Sequence, residues 1–454
     1  VPVTTGDQLR EQVDLIRQAF SYVNRFRGRL FVIKIDSSLI KQALFQVLIG
    51  DISLLCRMGI HVVIVPGAQR RIDEILEQNN IESRSERGIR ITPTQAIPAV
   101  KMAAFDVATT TMTALSAANQ HAVIGNWVRA RGIGVEDGID FGATGKPERI
   151  QVDLVQSVID DGLVPILPCI GWSLSGDPYN LSSDELAGAV ASSMAASKLF
   201  FVTDGGGVSA SRYELPAGVG ISNSGTLSRL SKTETDAFLD ANAASDQEIA
   251  EDRPLSLLAL ARDACARGVQ RVHIIDGKVE GVLLKEIFST LGYGTMVHAN
   301  EYESVRPMQV RDVPEVIRLM QPLVESGVLI HRSEKDVRNR YRDFVVFEID
   351  GTVRACGALH RLSESECEIA GIAVDEHFSQ LGIGQKIVSY LMEQARGASY
   401  GRIIVLTTQA WDWFRSLGFR EGQLGDIPRS RRATYDPQRR SRVLLYDIEQ
   451  DVAV

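Results

Sequence analysis

Cys367-Glu368-Ile369-Ala370-Gly371-Ile372-Ala373-Val374, followed after a short connection by Ser379-Gln380-Leu381-Gly382-Ile383-Gly384, decides the fold of the second half of the chain. As an extended strand, its first part sends Glu368, Ala370, Ile372 and Val374 to one face. Beyond the glycines, Ile387, Val388, Leu391 and Met392 recur at helical spacing. The order is strand, glycine loop, helix. Two glycines in that place let the backbone approach a pyrophosphate, and the first N–H groups of the helix offer it donors and the positive end of a dipole. The pyrophosphate of CoA fits such a loop. A Gly-x-Gly pair is by itself more often only a tight turn, so its neighbours have to decide.

Working outward, a second strand is expected over Ile403 to Thr407, and Trp413-Phe414-Arg415-Ser416-Leu417-Gly418-Phe419 follows it. Upstream, a linker falls at 299–304 and residues 305–454 form one unit of ordinary domain size. Before it, the apolar runs Leu30 to Ile35, His61 to Val65, Leu163 to Ile166 and Leu199 to Thr203 are rich in β-branched residues and separated by helix-length segments. That alternation predicts an α/β domain over 29–298, an open, mostly parallel sheet sandwiched by helices. Val13, Ile16, Phe20 and Val23 predict an opening amphipathic helix within residues 1–28. The stretch from about 209 to 254, rich in Ser, Ala, Gly and Asp, reads as a surface excursion.

The chain has 454 residues, 44% hydrophobic and 23% charged, which is the balance of a globular protein with more than one core. A net charge of −8 without a basic arm argues against nucleic-acid binding and for small-molecule partners. The five cysteines are scattered without CxxC pairing, so no disulfide framework and no zinc site is signalled. No apolar run reaches the roughly 18 residues of a membrane span. A soluble protein of a reducing compartment is expected.

The arrangement in the second half resembles the GNAT acetyltransferases, whose pyrophosphate loop reads Gln/Arg-x-x-Gly-x-Gly/Ala and whose later helix ends in an aromatic-x-x-x-Gly-Phe signature. One departure is Ser379 at the first loop position, with the glutamine displaced to Gln380. The resemblance implies an α+β GNAT domain in which Ile372, Ala373, Val374, Ser379, Gln380, Leu381, Gly382, Ile383, Gly384, Gln385 and Phe414 bind acetyl-CoA. Within that family, Leu329-Ile330-His331-Arg332-Ser333, Glu368-Ile369-Ala370, Leu406-Thr407-Thr408, Ile427-Pro428-Arg429-Ser430-Arg431-Arg432 and Arg440 resemble the N-acetylglutamate synthases. This implies that Glu368 is the general base for the amine of glutamate, acting through water, and that Thr407 stands near the departing thiolate. Arg332, Arg431 and Arg440, with backbone at Ile330 and Gly371, would hold the carboxylates. The chemistry agrees: an ammonium cannot attack a thioester until a base takes its proton, and guanidinium forks pair bidentately with a dicarboxylate. Taken singly, Glu368 is a half-exposed strand residue and the run 429–432 a solvated charge cluster.

Residues from about 12 to 300 resemble the amino-acid kinase family, most closely its acetylglutamate kinase branch. Lys34 stands at the phosphate-binding lysine and Asp184 at the aspartate that organises the kinase site. The phosphate glycines are missing, because Ile35-Asp36-Ser37-Ser38 and Pro66-Gly67-Ala68-Gln69 occupy their places. Side chains there obstruct the close backbone approach that phosphate needs, so no phosphoryl transfer is expected. The opening helix, with Tyr22, resembles the N-terminal extension of arginine-sensitive relatives. His273, Glu286, Gly292 and Gly294 match the other wall of their arginine pocket, which implies an arginine-regulated oligomer, a hexamer, with inhibition as the expected sign. The plainer alternative for these residues is a packed helix and a buried strand end. The resemblance to bacterial, plant and algal relatives implies the bacterial cytoplasm or the plastid stroma. Two rival functions remain: an acetylglutamate kinase with a degenerate acetyltransferase domain, and a non-catalytic arginine-sensing scaffold that binds CoA.

Overall fold

Runs that are apolar on both faces become central strands. Leu30–Ile35 (β1), His61–Pro66 (β2) and Lys198–Thr203 (β5) lie side by side and parallel, β1 between the other two. The computed structural model describes residues 20, 22–216, 219–222, 225–288, 293–299, 303–349, 351–375 and 382–448. The chain divides into two compact units, Val1–Asn300 and Glu301–Val454.

In the first unit the sheet is completed by Ala122–Ile124 (β3), Val164–Ile166 (β4), Gly220–Ile221 (β6), Leu227–Ser231 (β7), Arg271–Asp276 (β8) and Thr295–His298 (β9), in the order β6-β7-β9-β8-β5-β1-β2-β4-β3. Side-chain alternation builds a core on each face. Phe31, Ile33, Ile35, Phe200 and Val202 pack with apolar residues of Leu44–Arg57 (α1), Gln69–Gln78 (α2) and Ile97–Ala117 (α3). Val32, Leu199 and Phe201 pack on the other side with Ser183–Ser193 (α4), Lys232–Asn242 (α5) and Arg253–Ala266 (α6). Lys34 faces the C-terminal end of β1, where ligands gather in open α/β sheets, and is 2% exposed.

One expectation changes here. The stretch 209–254 is no surface excursion: it supplies β6, β7 and α5, with Leu227, Leu230 and Phe238 wholly buried. Its strand escapes a period-two reading because the buried leucines stand three apart, and its neighbour β9 comes some 65 residues later in sequence. Of the opening helix, only Phe20 and residues from 22 onward belong to the described residues, and much of the linker, 300–302, falls outside them as well.

The second unit is a seven-stranded sheet of Glu303–Pro307 (β10), Phe344–Ile349 (β11), Thr352–Arg361 (β12), Glu366–Val374 (β13), Arg402–Thr407 (β14), Arg420–Gly422 (β15) and Arg442–Asp447 (β16). Its order is β10-β11-β12-β13-β14-β16-β15, antiparallel except for the central β13–β14 pair. Val313–Glu325 (α7) covers one face and Ile383–Gly397 (α8) the other. No described helix is long and apolar enough to cross a membrane.

The strand that opened the sequence reading does not alternate uniformly. Ala373 pairs with Cys356 and Ala370 with Ala358, so Gly371 and Ile372 together oppose Gly357. Gly371 takes φ +64°, the left-handed conformation that a glycine bulge requires. The extra residue reverses the faces. Cys367 and Ile369 pack with α8 before the bulge, whereas Ile372 and Val374 pack with it afterwards. Glu368 and Ala370 therefore share a face that excludes Ile372 and Val374, and Glu368 points away from the α8 core.

Candidate active site

Glu368 lies mid-strand in β13, opposite His360 of β12 and Ile404 of β14, and is 6% exposed. A carboxylate so placed needs partners. Arg431 supplies them from the short helix Arg429–Arg432, donating from Nε to Oε2 at 2.7 Å and from Nη2 to Oε1 at 3.0 Å. The pair forms one wall of a cavity of about 80 Å³, which Arg332, Ile330, Ala370, Gly371 and Leu406 also line.

Arg332 differs from Arg431 in an informative way. Its Nη1 donates to His360 Nε2 at 2.9 Å and its guanidinium lies 5.6 Å from the centre of the Phe344 ring. Among the described residues no carboxylate is ion-paired with it, so the charge of Arg431 is taken up by Glu368 while that of Arg332 is left for a ligand. Burial, then Arg340, pushes the Arg332 pKa below its ordinary value.

Two of the expected site residues are not brought to the cavity. Arg440 is exposed, in the left-handed conformation at φ +49° where the turn Pro437–Arg439 ends. Its neighbour Arg439 lines the cavity instead and donates to the Gly327 and Val328 carbonyls at 3.1 and 2.8 Å. Thr407 ends β14, and its hydroxyl oxygen accepts from the Ala410 N–H at 3.0 Å. Leu406, one residue earlier, is the β14 residue in the cavity wall.

Beyond Gly371 the geometry suits an extended amide chain ending in a pyrophosphate. The β13–β14 ladder stops at Ile369 and Val405, whereas β13 continues to Val374, so the edge of 370–374 that faces β14 has no strand to pair with among the described residues. At its end, Gly382 caps the start of α8, with φ +66°. The first N–H groups of α8, at Ile383, Gly384 and Gln385, have no earlier turn to bond to and carry the positive end of the helix dipole. A side chain at Gly384 would meet the Trp413 ring at 3.4 Å. Ser379, Gln380 and Leu381 lie outside the described residues. Ala373 is 1% exposed and Phe414 is 5% exposed; Phe414 packs edge-on against Trp413 and Phe419 in the core of Trp411–Ser416 (α9), so its ring is a core residue rather than a lining one.

In the first unit, His273, Glu286, Gly294 and Tyr22 do come together. Glu286 is 6% exposed: Oε1 lies 2.7 Å from His273 Nδ1, and Oε2 accepts from the N–H groups of Tyr293 and Gly294 at 2.6 and 3.1 Å. On the far side of the imidazole, Lys198 Nζ stands 3.4 Å from Nε2 and 5.4 Å from the Tyr22 ring centre. Lysine can only donate, so the proton of a neutral His273 sits on Nδ1 and points to Glu286. Burial, then Lys198, pushes the His273 pKa down to about 4. Burial opposes the charge on Glu286, but the hydrogen bonds from His273 and Tyr293 outweigh it and hold the carboxyl below its ordinary value. Gly292 lies outside the described residues.

A second, larger cleft of about 420 Å³ surrounds Lys34. The ammonium is paired with Asp36 and, at 2.6 Å, with Asp184. Arg253 at the start of α6 closes the square, 2.6 Å from Asp36 and 3.3 Å from Asp184. Sequence reasoning missed Arg253, since nothing local marks a residue 217 positions from its partner. Among the described residues, no group of three or more His, Cys, Asp or Glu could hold a metal ion.

Comparison with known proteins gives the same two parts. The amino acid kinase family matches residues 29–276, and the acetyltransferase (GNAT) family matches residues 315–419. An amino-acid acetyltransferase of Mannheimia succiniciproducens is 31% identical over 448 residues, 97% of this chain and 99% of that protein. The crystal structure of N-acetylglutamate synthase from Neisseria gonorrhoeae complexed with coenzyme A and L-arginine superposes with a TM-score of 0.82 at 28% identity, covering 96% of this chain and 99% of that one. The same enzyme complexed with coenzyme A and N-acetyl-glutamate gives a TM-score of 0.59 at 29% identity, with 96% and 99% covered.

Proposed function

Because this chain belongs to the amino-acid acetyltransferases, a kinase-family unit followed by a GNAT unit, we propose that it transfers the acetyl group of acetyl-CoA to the α-amine of L-glutamate, with Glu368 as base. The observation that carries this reading is the cavity between Glu368 and Arg332, a buried carboxylate beside a guanidinium that is ion-paired with no carboxylate among the described residues. A dicarboxylic amino acid supplies what that pair lacks: an anion for Arg332 and an amine for Glu368.

Arg332 holds one substrate carboxylate, and the backbone at Ile330 and Gly371 borders the same space. Arg431 serves twice, steadying Glu368 through Nε and Nη2 and, with Nη1 already donating to Thr434 Oγ1 at 3.1 Å, turning only its outermost N–H groups to the second carboxylate. Glu368 takes a proton from the ammonium, directly or through water, which frees the lone pair to attack the thioester carbon. A C–N bond forms as the C–S bond breaks. Thr407 accepts from Ala410, so its own O–H is left to give a proton to the departing thiolate, and the second proton shed by the new amide nitrogen returns to it through solvent, leaving the hydroxyl as it began and CoA as the free thiol. The start of α8 and the unpaired edge of β13 receive the CoA pyrophosphate and its amide arm.

L-Arginine is the effector, bound about His273, Glu286, Gly294 and Tyr22, with inhibition as its sign. A guanidinium arriving at Glu286 would compete with His273 for Oε1, which gives the effector a way to alter that buried chain. The first unit does not act as a kinase in this reading, because Ser37, Ser38 and Ala68 place side chains where phosphate needs the close backbone approach of glycines. The assembly implied by the family resemblance is a hexamer, and sedimentation velocity finding a monomer at assay concentration would remove that part.

Initial rates with glutamate, glutamine and aspartate at saturating acetyl-CoA test the substrate reading. Glutamate should exceed glutamine in kcat/KM by roughly 100-fold, the penalty for leaving Arg332 without an anion. Equal use of glutamine would refute it.

A further inference from the structure

The imidazole of His360 is 5% exposed and stands directly opposite Glu368 in the β12–β13 ladder, with its ring edge-on to Phe344 at 6.0 Å. Four charged groups reach it or face it. Arg332 Nη1 lies 2.9 Å from Nε2, Asp343 Oδ2 lies 2.9 Å from Nδ1, and Arg340 Nη2 lies 3.0 Å from Nδ1. Glu368 faces it across the ladder, held by Arg431.

Only one arrangement of protons satisfies these contacts. A neutral imidazole has one lone pair, and a guanidinium can only donate. Asp343 can only accept, so the proton sits on Nδ1 and points to Asp343, and the lone pair on Nε2 receives Arg332. Arg340 then bonds not to the ring but to Asp343 Oδ2, which its Nη2 reaches at 2.9 Å. The chain runs from Asp343 through His360 to Arg332 and ends at the cavity. Arg332 has no other hydrogen-bond acceptor among the described residues.

We propose that His360 is a positioning residue for acetyl transfer: its Nε2 lone pair fixes the Arg332 guanidinium toward the substrate carboxylate, and Asp343 fixes the tautomer that makes this bond available. The inference rests on the reading of Arg332 as a carboxylate anchor. An uncharged acceptor holds the guanidinium without consuming its charge, which a carboxylate in the same place would do. Protonation would remove the lone pair and set an imidazolium against Arg332 and Arg340, with Asp343 the one anion in contact. Burial pushes the His360 pKa below its ordinary value, which keeps the ring neutral near pH 7.

Steady-state kinetics on the full chain carrying His360→Leu, His360→Gln or Arg332→Gln test this. Leucine removes the acceptor and should raise the KM for glutamate about 10-fold or more, with kcat and the KM for acetyl-CoA within about 3-fold. Glutamine keeps an acceptor oxygen where Nε2 was and should restore the glutamate KM to within about 3-fold of wild type. The wild-type glutamate KM should hold from pH 8 down to the ordinary histidine value of 6.5 and rise only below it, whereas that of His360→Gln should show no such rise. The inference alone is overturned if Arg332→Gln raises the glutamate KM but His360→Leu does not, or if His360→Gln melts like wild type yet is as impaired as His360→Leu. An unchanged glutamate KM in Arg332→Gln would overturn the anchor reading and the inference with it. If His360→Leu does not fold, the KM and pH profile of His360→Gln still decide.

Discussion

Glu368→Gln separates the chemistry of the base from the structural grip around it. Glu368 accepts two charge-assisted hydrogen bonds from Arg431, and the two side chains are 8% and 16% exposed. Glutamine keeps the shape and one acceptor oxygen but places an N–H2 group against a guanidinium, so one of the two bonds is lost. A hydrogen bond to a charged group contributes about 1.5–3 kcal/mol, and removing one partner of a buried pair outright costs about 3–5 kcal/mol. Glu368→Gln should therefore destabilise the chain by about 2 kcal/mol, and Glu368→Ala by more. Turnover should fall much further, since a positioned base contributes about 10²–10⁴-fold, or roughly 3–5 kcal/mol of barrier. CoA affinity should stay within about 2-fold, because the edge of β13 past Gly371 and the start of α8 are separate from the Glu368–Arg431 pair. The assays are a thermal melt, calorimetric titration with CoA, and thiol release from acetyl-CoA with glutamate. A variant retaining more than about a tenth of wild-type turnover would refute the role of base, given the size of that effect. Turnover and CoA affinity falling together would make Glu368 a structural residue.

Glu286→Ala removes the acceptor shared by His273, Tyr293 and Gly294, and should abolish the response of the rate to L-arginine at concentrations that affect the wild type; an intact response would sink the pocket assignment. Acid should weaken the first unit through His273. Its folded pKa of about 4 lies below the ordinary 6.5, so the unfolded chain binds the extra proton between those values, and stability is present above pH 6.5 and lost toward pH 4. The loss is at most about 3 kcal/mol, and a His273→Phe chain with an equally steep acid decline in unfolding free energy would refute it. Gly294→Ala would place a Cβ 2.2 Å from the Ile274 carbonyl oxygen. Backbone must shift to admit it, at a cost of about 1–3 kcal/mol, and a melting temperature equal to wild type would show that the turn has room.

Local signals were readable wherever function and packing shared one short segment. The central strands announced themselves because both faces of Leu30–Ile35 and Lys198–Thr203 are apolar. The start of α8 showed in its paired glycines, and Glu368, Arg332 and Arg431, singled out from the sequence, line one cavity. Geometry that turns on one residue was not readable. The bulge at Gly371 reverses the faces of β13, and no alternation pattern marks which glycine will bulge. The left-handed turn at Arg440 leaves Arg439, one position earlier, at the cavity. Long-range closure was hidden for another reason: Arg253 meets Asp36, and β7 meets β9, only after the chain has folded back. Nothing local marks His360, because the three groups that define it are Arg332, Arg340 and Asp343, which only the fold assembles around it.

The central claim is that the GNAT unit does the chemistry and that glutamate is its acceptor. The purified chain, given acetyl-CoA labelled in the acetyl group together with L-glutamate and ATP, should yield labelled N-acetylglutamate and an equal amount of free CoA thiol by mass spectrometry, with no phosphorylated product. Thiol release that does not depend on glutamate, or label that appears in an acyl phosphate of N-acetylglutamate, would contradict it.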